Sequence, residues 1–168
     1  MNGPAPESLR TPLPSAVEVR DMLEGMLGRD VDVVNGGAMV NPAADDGALC
    51  GIFVDKHLKL AAMVLLDLPL AAHVGASIAL VPVNTALFCI EEGALSQALF
   101  DNGSEILNVA GSLFNCPGAP HLKLDRCYAP GDPLPADVAK WVLTYIRRLD
   151  LGVTIKGYGT GKFSALVL

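Results

Sequence analysis

The chain has 168 residues, 51% hydrophobic and 18% charged, with 12 basic side chains against 18 acidic ones. That is enough chain for one domain with a buried core, and the composition excludes a disordered segment. A net charge of −6 without any basic run, and aromatics at only 5%, exclude a nucleic-acid-binding surface.

Met1 to Pro14 hold four prolines and little apolar content, which predicts a flexible tail over residues 1–14 and a single domain over 15–168. Ser15 to Gly28 reads as the first helix. Ser15 can cap its start, Gly28 can close its end, and Val17, Met22, Leu23, Met26 and Leu27 can line one broad face. Val31 to Val34 is a short strand, followed by an Asn35-Gly36-Gly37 turn and a polar loop from Asn41 to Gly47. Ala48 to Val54 and Leu58 to Leu66 read as two buried strands joined by a turn at Asp55-Lys56-His57.

Leu68 to Ile90 contains no Asp, Glu, Lys or Arg and is long enough to span a bilayer. Pro69 and Pro82 interrupt it, and His73 and Asn84 would be costly in lipid. Two helices with a turn between them are the better reading, so no membrane span is expected. Asn84 is placed to cap the second of them, which Gly93 would end. A third helix follows from about Ser96 or Asp101 to Asn115, stopped by Cys116-Pro117-Gly118. His121 to Cys127 alternates as a strand, and Pro130 to Pro135 is a loop. Ala136 to Arg148 carries Val138, Trp141, Val142, Tyr145 and Ile146 at helical spacing. Leu151 to Lys156 and Lys162 to Leu168 form a terminal hairpin. This order predicts an α+β domain with a largely antiparallel sheet and long helices packed on one face.

Several chemical motifs fail on inspection. Gly157-Tyr-Gly-Thr-Gly-Lys162 lacks the glycine and the Ser/Thr that a phosphate-binding loop needs, because Lys156 and Phe163 stand there, so it reads as a hairpin turn. Cys50, Cys89, Cys116 and Cys127 show no C-x2-C spacing. The N-terminus shows no basic flank followed by an apolar run, so no signal peptide is expected, and a reduced, cytoplasmic setting is expected. His57, His73 and His121 are scattered through a turn, an apolar helix and a strand start. Ser104 and Ser112 lack the setting of a nucleophile elbow.

One pattern stands apart. Asp101, Glu105 and Asn108 fall at i, i+4 and i+7, on one face of the third helix, and Ser112 and Asn115 continue the stripe. Leu99, Ile106, Leu107, Ala110, Leu113 and Phe114 occupy the other side. A wet face of an amphipathic helix has this form, and Asp101 in Asp-Asn-Gly could be a mere N-cap. Yet the stripe has no lysine or arginine, and asparagine is a poor helix former. Small residues at Gly103, Ala110 and Gly111 flank it, which would let another surface come close.

Asp101-x3-Glu105-x2-Asn108, continued as Val-Ala-Gly111, resembles the signature of the CheC/CheX/FliY family of chemotaxis phosphatases. The element order is similar over Ser15 to Leu168. The resemblance implies a phosphatase acting on the aspartyl phosphate of a CheY-like response-regulator receiver domain. Glu105 would pair with the receiver's lysine, Asn108 would orient the attacking water, and Asp101 and Ser112 would help hold the partner. Aligning a water is a sufficient role, because phosphoryl transfer is loose and needs no nucleophile from the protein. The chain would carry no cofactor of its own, since the Mg2+ belongs to the receiver. The first helix offers Asp21 and Glu24 but Leu27 in place of an asparagine, so a second site looks absent. That is closer to the CheX-like branch, whose members pair as dimers. The alternative is a non-catalytic adaptor or binding module of the same fold, in signalling or motility.

Overall fold

The computed structural model describes residues 9–44 and 46–168. Of the tail expected over residues 1–14, residues 1–8 lie outside the described part. Leu9 to Pro14 lie against the domain: the Leu9 N–H donates to Gly118 O at 2.7 Å, and Pro14 is buried.

Helix α1 (Ala16–Leu27) starts at a capping box, in which Ser15 and Glu18 each accept the other's backbone N–H, and ends at Gly28 with φ 66°. Only glycine enters that left-handed conformation without strain. Six strands follow in the order β1 (Val31–Asn35), β2 (Ala48–Val54), β3 (Leu60–Asp67), β4 (Lys123–Tyr128), β5 (Arg147–Ile155) and β6 (Gly159–Val167). They form one six-stranded sheet in the spatial order β1-β5-β6-β3-β2-β4, and every pairing is antiparallel. The expected α+β class with a largely antiparallel sheet is what the chain adopts.

Between β3 and β4 run α2 (Leu68–Ile78), α3 (Val83–Glu92) and α4 (Gln97–Ala110), the last continuing as a 3-10 turn over Gly111–Phe114. The long uncharged stretch is thus two helices, and among the described residues no helix is long and apolar enough to cross a membrane. Asn84 does not cap α3; Pro82 holds the cap position, with no side-chain hydrogen bond.

Alternation decides which side chains meet the helices. Leu49 and Phe53 of β2, Val64 and Leu66 of β3, Leu151 and Val153 of β5, and Phe163 and Ala165 of β6 share one core with Leu23 of α1, Leu70 and Val74 of α2, and Ile106 and Leu107 of α4. The long helices lie on this face. The reverse face carries Ala48, Cys50, Ile52, Met63, Leu65 and Leu166, and it too is covered, by Val40, Val138 and Val142 with Trp141 and Ile146 against them. This is why β2 is buried along its whole length.

The helix expected over 136–148 is a correction. Only Ala136–Ala139, α5, is helical. Turns come next, and Arg147 already pairs with Val167 in the sheet. The Arg148 guanidinium takes the carbonyls of Val142 (3.0 Å) and Thr144 (3.1 Å), which ends the turns. It also binds both carboxylate oxygens of Asp150 at 2.8 Å, and Asp150 accepts the Ser164 hydroxyl at 2.6 Å. Ser164 Oγ in turn accepts the Val40 N–H at 3.0 Å. Strand pairing and this network override the helical spacing, and Tyr145, one of the residues expected at helical spacing, is 91% exposed.

Candidate functional site

The stripe lies on α4, which Ser96 caps by accepting the Leu99 N–H at 3.3 Å. Leu99, Gly103, Ile106, Leu107 and Ala110 are the helix's buried residues. Its roll is set by close approaches. A Cβ at Gly75 of α2 would lie 2.8 Å from Leu99 O, and one at Gly103 would lie 2.7 Å from Leu49 Cδ2. Asn102 adds a hydrogen bond from Nδ2 to Gly75 O at 3.0 Å. Gly111 rests against the Phe53 ring, where a Cβ would come within 3.3 Å.

Gly103, Ala110 and Gly111 are therefore buried against this chain's own core. They do not flank the stripe as a landing place for another surface. They bring α4 down onto β2 and α2, which turns the polar residues outward. The helix begins a turn and a half before Gly103, at Gln97. Asp101 is inside the helix and not its N-cap.

Asp101, Glu105, Asn108 and Ser112 are all exposed. Two of them have local partners: Asp101 accepts from Gln97 Nε2 at 2.8 Å, and Ser112 Oγ donates to Val109 O at 2.8 Å. Glu105 and Asn108 have no side-chain hydrogen bond or ion pair among the described residues. Asn115 leaves the stripe. The 3-10 turn changes the helical phase before it, and its amide closes on Leu122, donating to O at 3.1 Å and accepting from N at 2.8 Å. The ridge thus offers one free carboxylate and one free carboxamide a turn apart. It can accept from a cationic group and both donate to and accept from a polar one.

The first helix does not repeat it. Asp21 binds Arg20 at 3.1 Å, Glu24 accepts the Val31 N–H at 3.3 Å, and Leu27 is buried.

Other groups that sequence spacing could not assemble come together elsewhere. His57 and His121 line one cleft with Asp55, but Asp55 is occupied by the backbone N–H groups of His57 and Lys59. A cavity of about 330 Å³ at the start of α2 is lined by Asp46, Asp67 and Lys162. Burial raises the Asp67 carboxyl pKa, against the lowering pull of the Lys162 and Leu70 N–H groups. Gly161 of the glycine-rich turn has no room for a phosphate: a Cβ there would already stand 2.5 Å from Leu70 and 2.6 Å from Asp67.

No family model matches the sequence, and no curated protein does. Solved structures do match the fold. The FliM of a FliM–SpeE complex from H. pylori aligns with TM-score 0.57 at 8% identity, over 90% of this chain and 80% of that one. The FliM middle domain from H. pylori gives 0.55 at 9% identity, over 90% and 84%. Thermotoga maritima FliY gives 0.53 at 13% identity, over 89% and 82%. At these identities the likeness is one of fold.

Proposed function

We propose that this chain is a protein-docking module of the FliM/FliY middle-domain kind, acting in signalling or motility in the cytoplasm. The observation that carries this reading is the α4 ridge, where Glu105 and Asn108 stand exposed and unpartnered on a helix locked to the core. Two neighbours of the same fold are described in complexes with other proteins, FliM with SpeE and FliM with FliG, which supports a partner-binding role. The ridge carries no positive charge, so the matching surface would present a lysine or arginine to Glu105 and a polar group to Asn108.

A second reading is favoured by the particular pair of residues. A carboxylate and a carboxamide three positions apart on one exposed helix suit a receiver-domain phosphatase. Glu105 would engage the receiver's lysine, with Asp101 and Ser112 beside it. Asn108 would align the water with the phosphorus, and the Mg2+ would be the receiver's. The absence of a second ridge on α1 suits a single-site, CheX-like member of the CheC/CheX/FliY group, and pairing as a homodimer goes with that branch.

One experiment separates the two. Phosphorylated receivers from the same cell are mixed with the chain at sub-stoichiometric and at equal concentration, and phosphate release and binding are followed. Turnover by traces of protein, abolished in Asn108→Ala, establishes the phosphatase. Binding at equal concentration without faster release, weakened by Glu105→Lys, establishes the docking module. Neither effect in any receiver or switch-protein partner ends both readings.

A further inference from the structure

Helix α3 is packed on one side only. Ala86 and Cys89 are its buried residues, and they meet Ala72 and Ala76 of α2 and Leu99 of α4. Its outer side carries Leu87 and Phe88, 47% and 63% exposed, and Leu80 in the preceding turn is 75% exposed. Phe88 also lines an open groove of about 620 Å³ with Asn84, Cys89 and Leu95, running to Ser96 at the cap of α4. A cluster of large apolar side chains left this bare marks a contact surface rather than a scattered exposed leucine.

Glu92 lines the groove. Glu91 and Glu92 lie three and four positions beyond Phe88 and so flank its ring on the same face. Asp46 lies at the end of the helix, where a Cβ on Gly93 would be 2.6 Å from its carboxylate oxygen, but it lines a separate cavity with Lys162. The C-terminal carbonyls of α3 add negative potential, and its last turn holds no basic residue. None of these three carboxylates is in an ion pair among the described residues. No lysine or arginine occurs anywhere between residues 60 and 122.

We propose that this groove docks a basic amphipathic helix from a partner protein. Its apolar side covers Phe88 and the exposed Leu87 next to it in sequence, and its lysines or arginines meet Glu91 and Glu92. Charge chooses this occupant. A second copy packed by a twofold axis would bring the same negatively charged patch from both subunits together. An anionic bilayer would be repelled by the same carboxylates. A helix laid in a groove supplies apolar anchors at i, i+3/i+4 and i+7, one of which can cover Phe88 in the groove. The inference rests on reading the chain as a protein-docking module but uses a surface separate from the Glu105–Asn108 ridge.

The test titrates the isotope-labelled full chain with a synthetic leucine–lysine amphipathic helix, and with its twin carrying glutamate for lysine. The lysine peptide is expected to shift the amide resonances of Val83–Glu92 and of residues 94–96, and the glutamate twin to leave them in place. Phe88→Ser should weaken binding about tenfold or more, as loss of a central aromatic anchor does. Glu91→Lys with Glu92→Lys should transfer the preference to the glutamate twin, which keeps the test valid if Phe88→Ser perturbs the fold. Equal binding of the two peptides, shifts confined to other elements, or no α3 shift at all would overturn the proposal. So would concentration-dependent self-association that Phe88→Ser abolishes, since the occupant would then be a second copy. Glu105→Lys should leave the α3 amide shifts produced by the lysine peptide in place, whatever it does at the ridge. A ridge variant without effect on partners would remove the docking role of α4 while peptide capture at α3 stood, and the reverse outcome would remove only the groove.

Discussion

Two sets of polar side chains, one on each side of the sheet, are used in opposite ways. On the reverse face Arg148, Asp150 and Ser164 are enclosed, and every one is spent on another group of the chain. The Arg148–Asp150 pair is 7% and 13% exposed and joined at 2.8 Å. On the helical face, Glu105 and Asn108 stand in solvent with nothing of their own to bind. A buried ion pair is strongly constrained because breaking it strands a charge. An exposed amide is free to be replaced, or to serve a partner. The reverse face is where polarity shapes this fold; the α4 ridge is where polarity is left available.

The contrast breaks first at Arg148. Arg148→Ala strands the Asp150 carboxylate and releases the carbonyls of Val142 and Thr144, so a loss of about 3–5 kcal/mol is expected in urea unfolding. A loss under about 1 kcal/mol would mean the pair is solvated and the contrast false. Next is Gly75→Ala, which pushes a methyl against the Leu99 carbonyl and forces α4 off α2. It should cost about 1–3 kcal/mol and weaken partner binding through the ridge as well, since the helix carrying it would shift. Glu105→Ala and Asn108→Ala sharpen the comparison from the other side. Each should change stability by no more than about 0.5 kcal/mol, while partner capture or receiver dephosphorylation falls. A large drop in melting temperature for either would place the ridge among the structural polar groups.

Much of the fold is legible in the residues themselves. Ser15 and Gly28 mark the bounds of α1, and the turns mark the β2–β3 and β5–β6 hairpins. The exposed stripe is visible in its period. Four features are hidden for physical reasons. Small residues carry no direction, so Gly103 and Gly111 read as part of an open surface when they are contacts with Leu49 and Phe53. A change from α to 3-10 winding at Gly111 rotates the next residues about the axis, so Asn115 leaves the stripe for Leu122. The stretch from Ala136 to Arg148 has helical spacing, but its fate is set by β6 and by Asp150, partners that local periodicity cannot see. The exposed face of α3 is also out of reach, because Phe88 in an apolar run reads as core until its neighbours are known.

The smallest expected effect concerns a group that belongs to neither class. His73 of α2 is 3% exposed, and its Nδ1 has no partner among the described residues. It is polar and enclosed, yet unpaired, with Gly159 leaving just enough room for its Nε2. Burial lowers its pKa below the ordinary 6.5. As pH falls below that value the unfolded chain takes up the proton before the folded one does, so stability should decline. The decline stops once the folded-state pKa is passed, and above the ordinary value the group has no effect. Asp67 acts in the opposite sense, because its raised pKa lets the folded state bind a proton first at lower pH. Melting temperatures between neutral pH and pH 5 should therefore fall less steeply in His73→Leu than in the parent chain, whatever the offset between the two curves. Parallel curves would show that the imidazole is protonated without penalty, and that some water or rearrangement satisfies it where the fold leaves it alone.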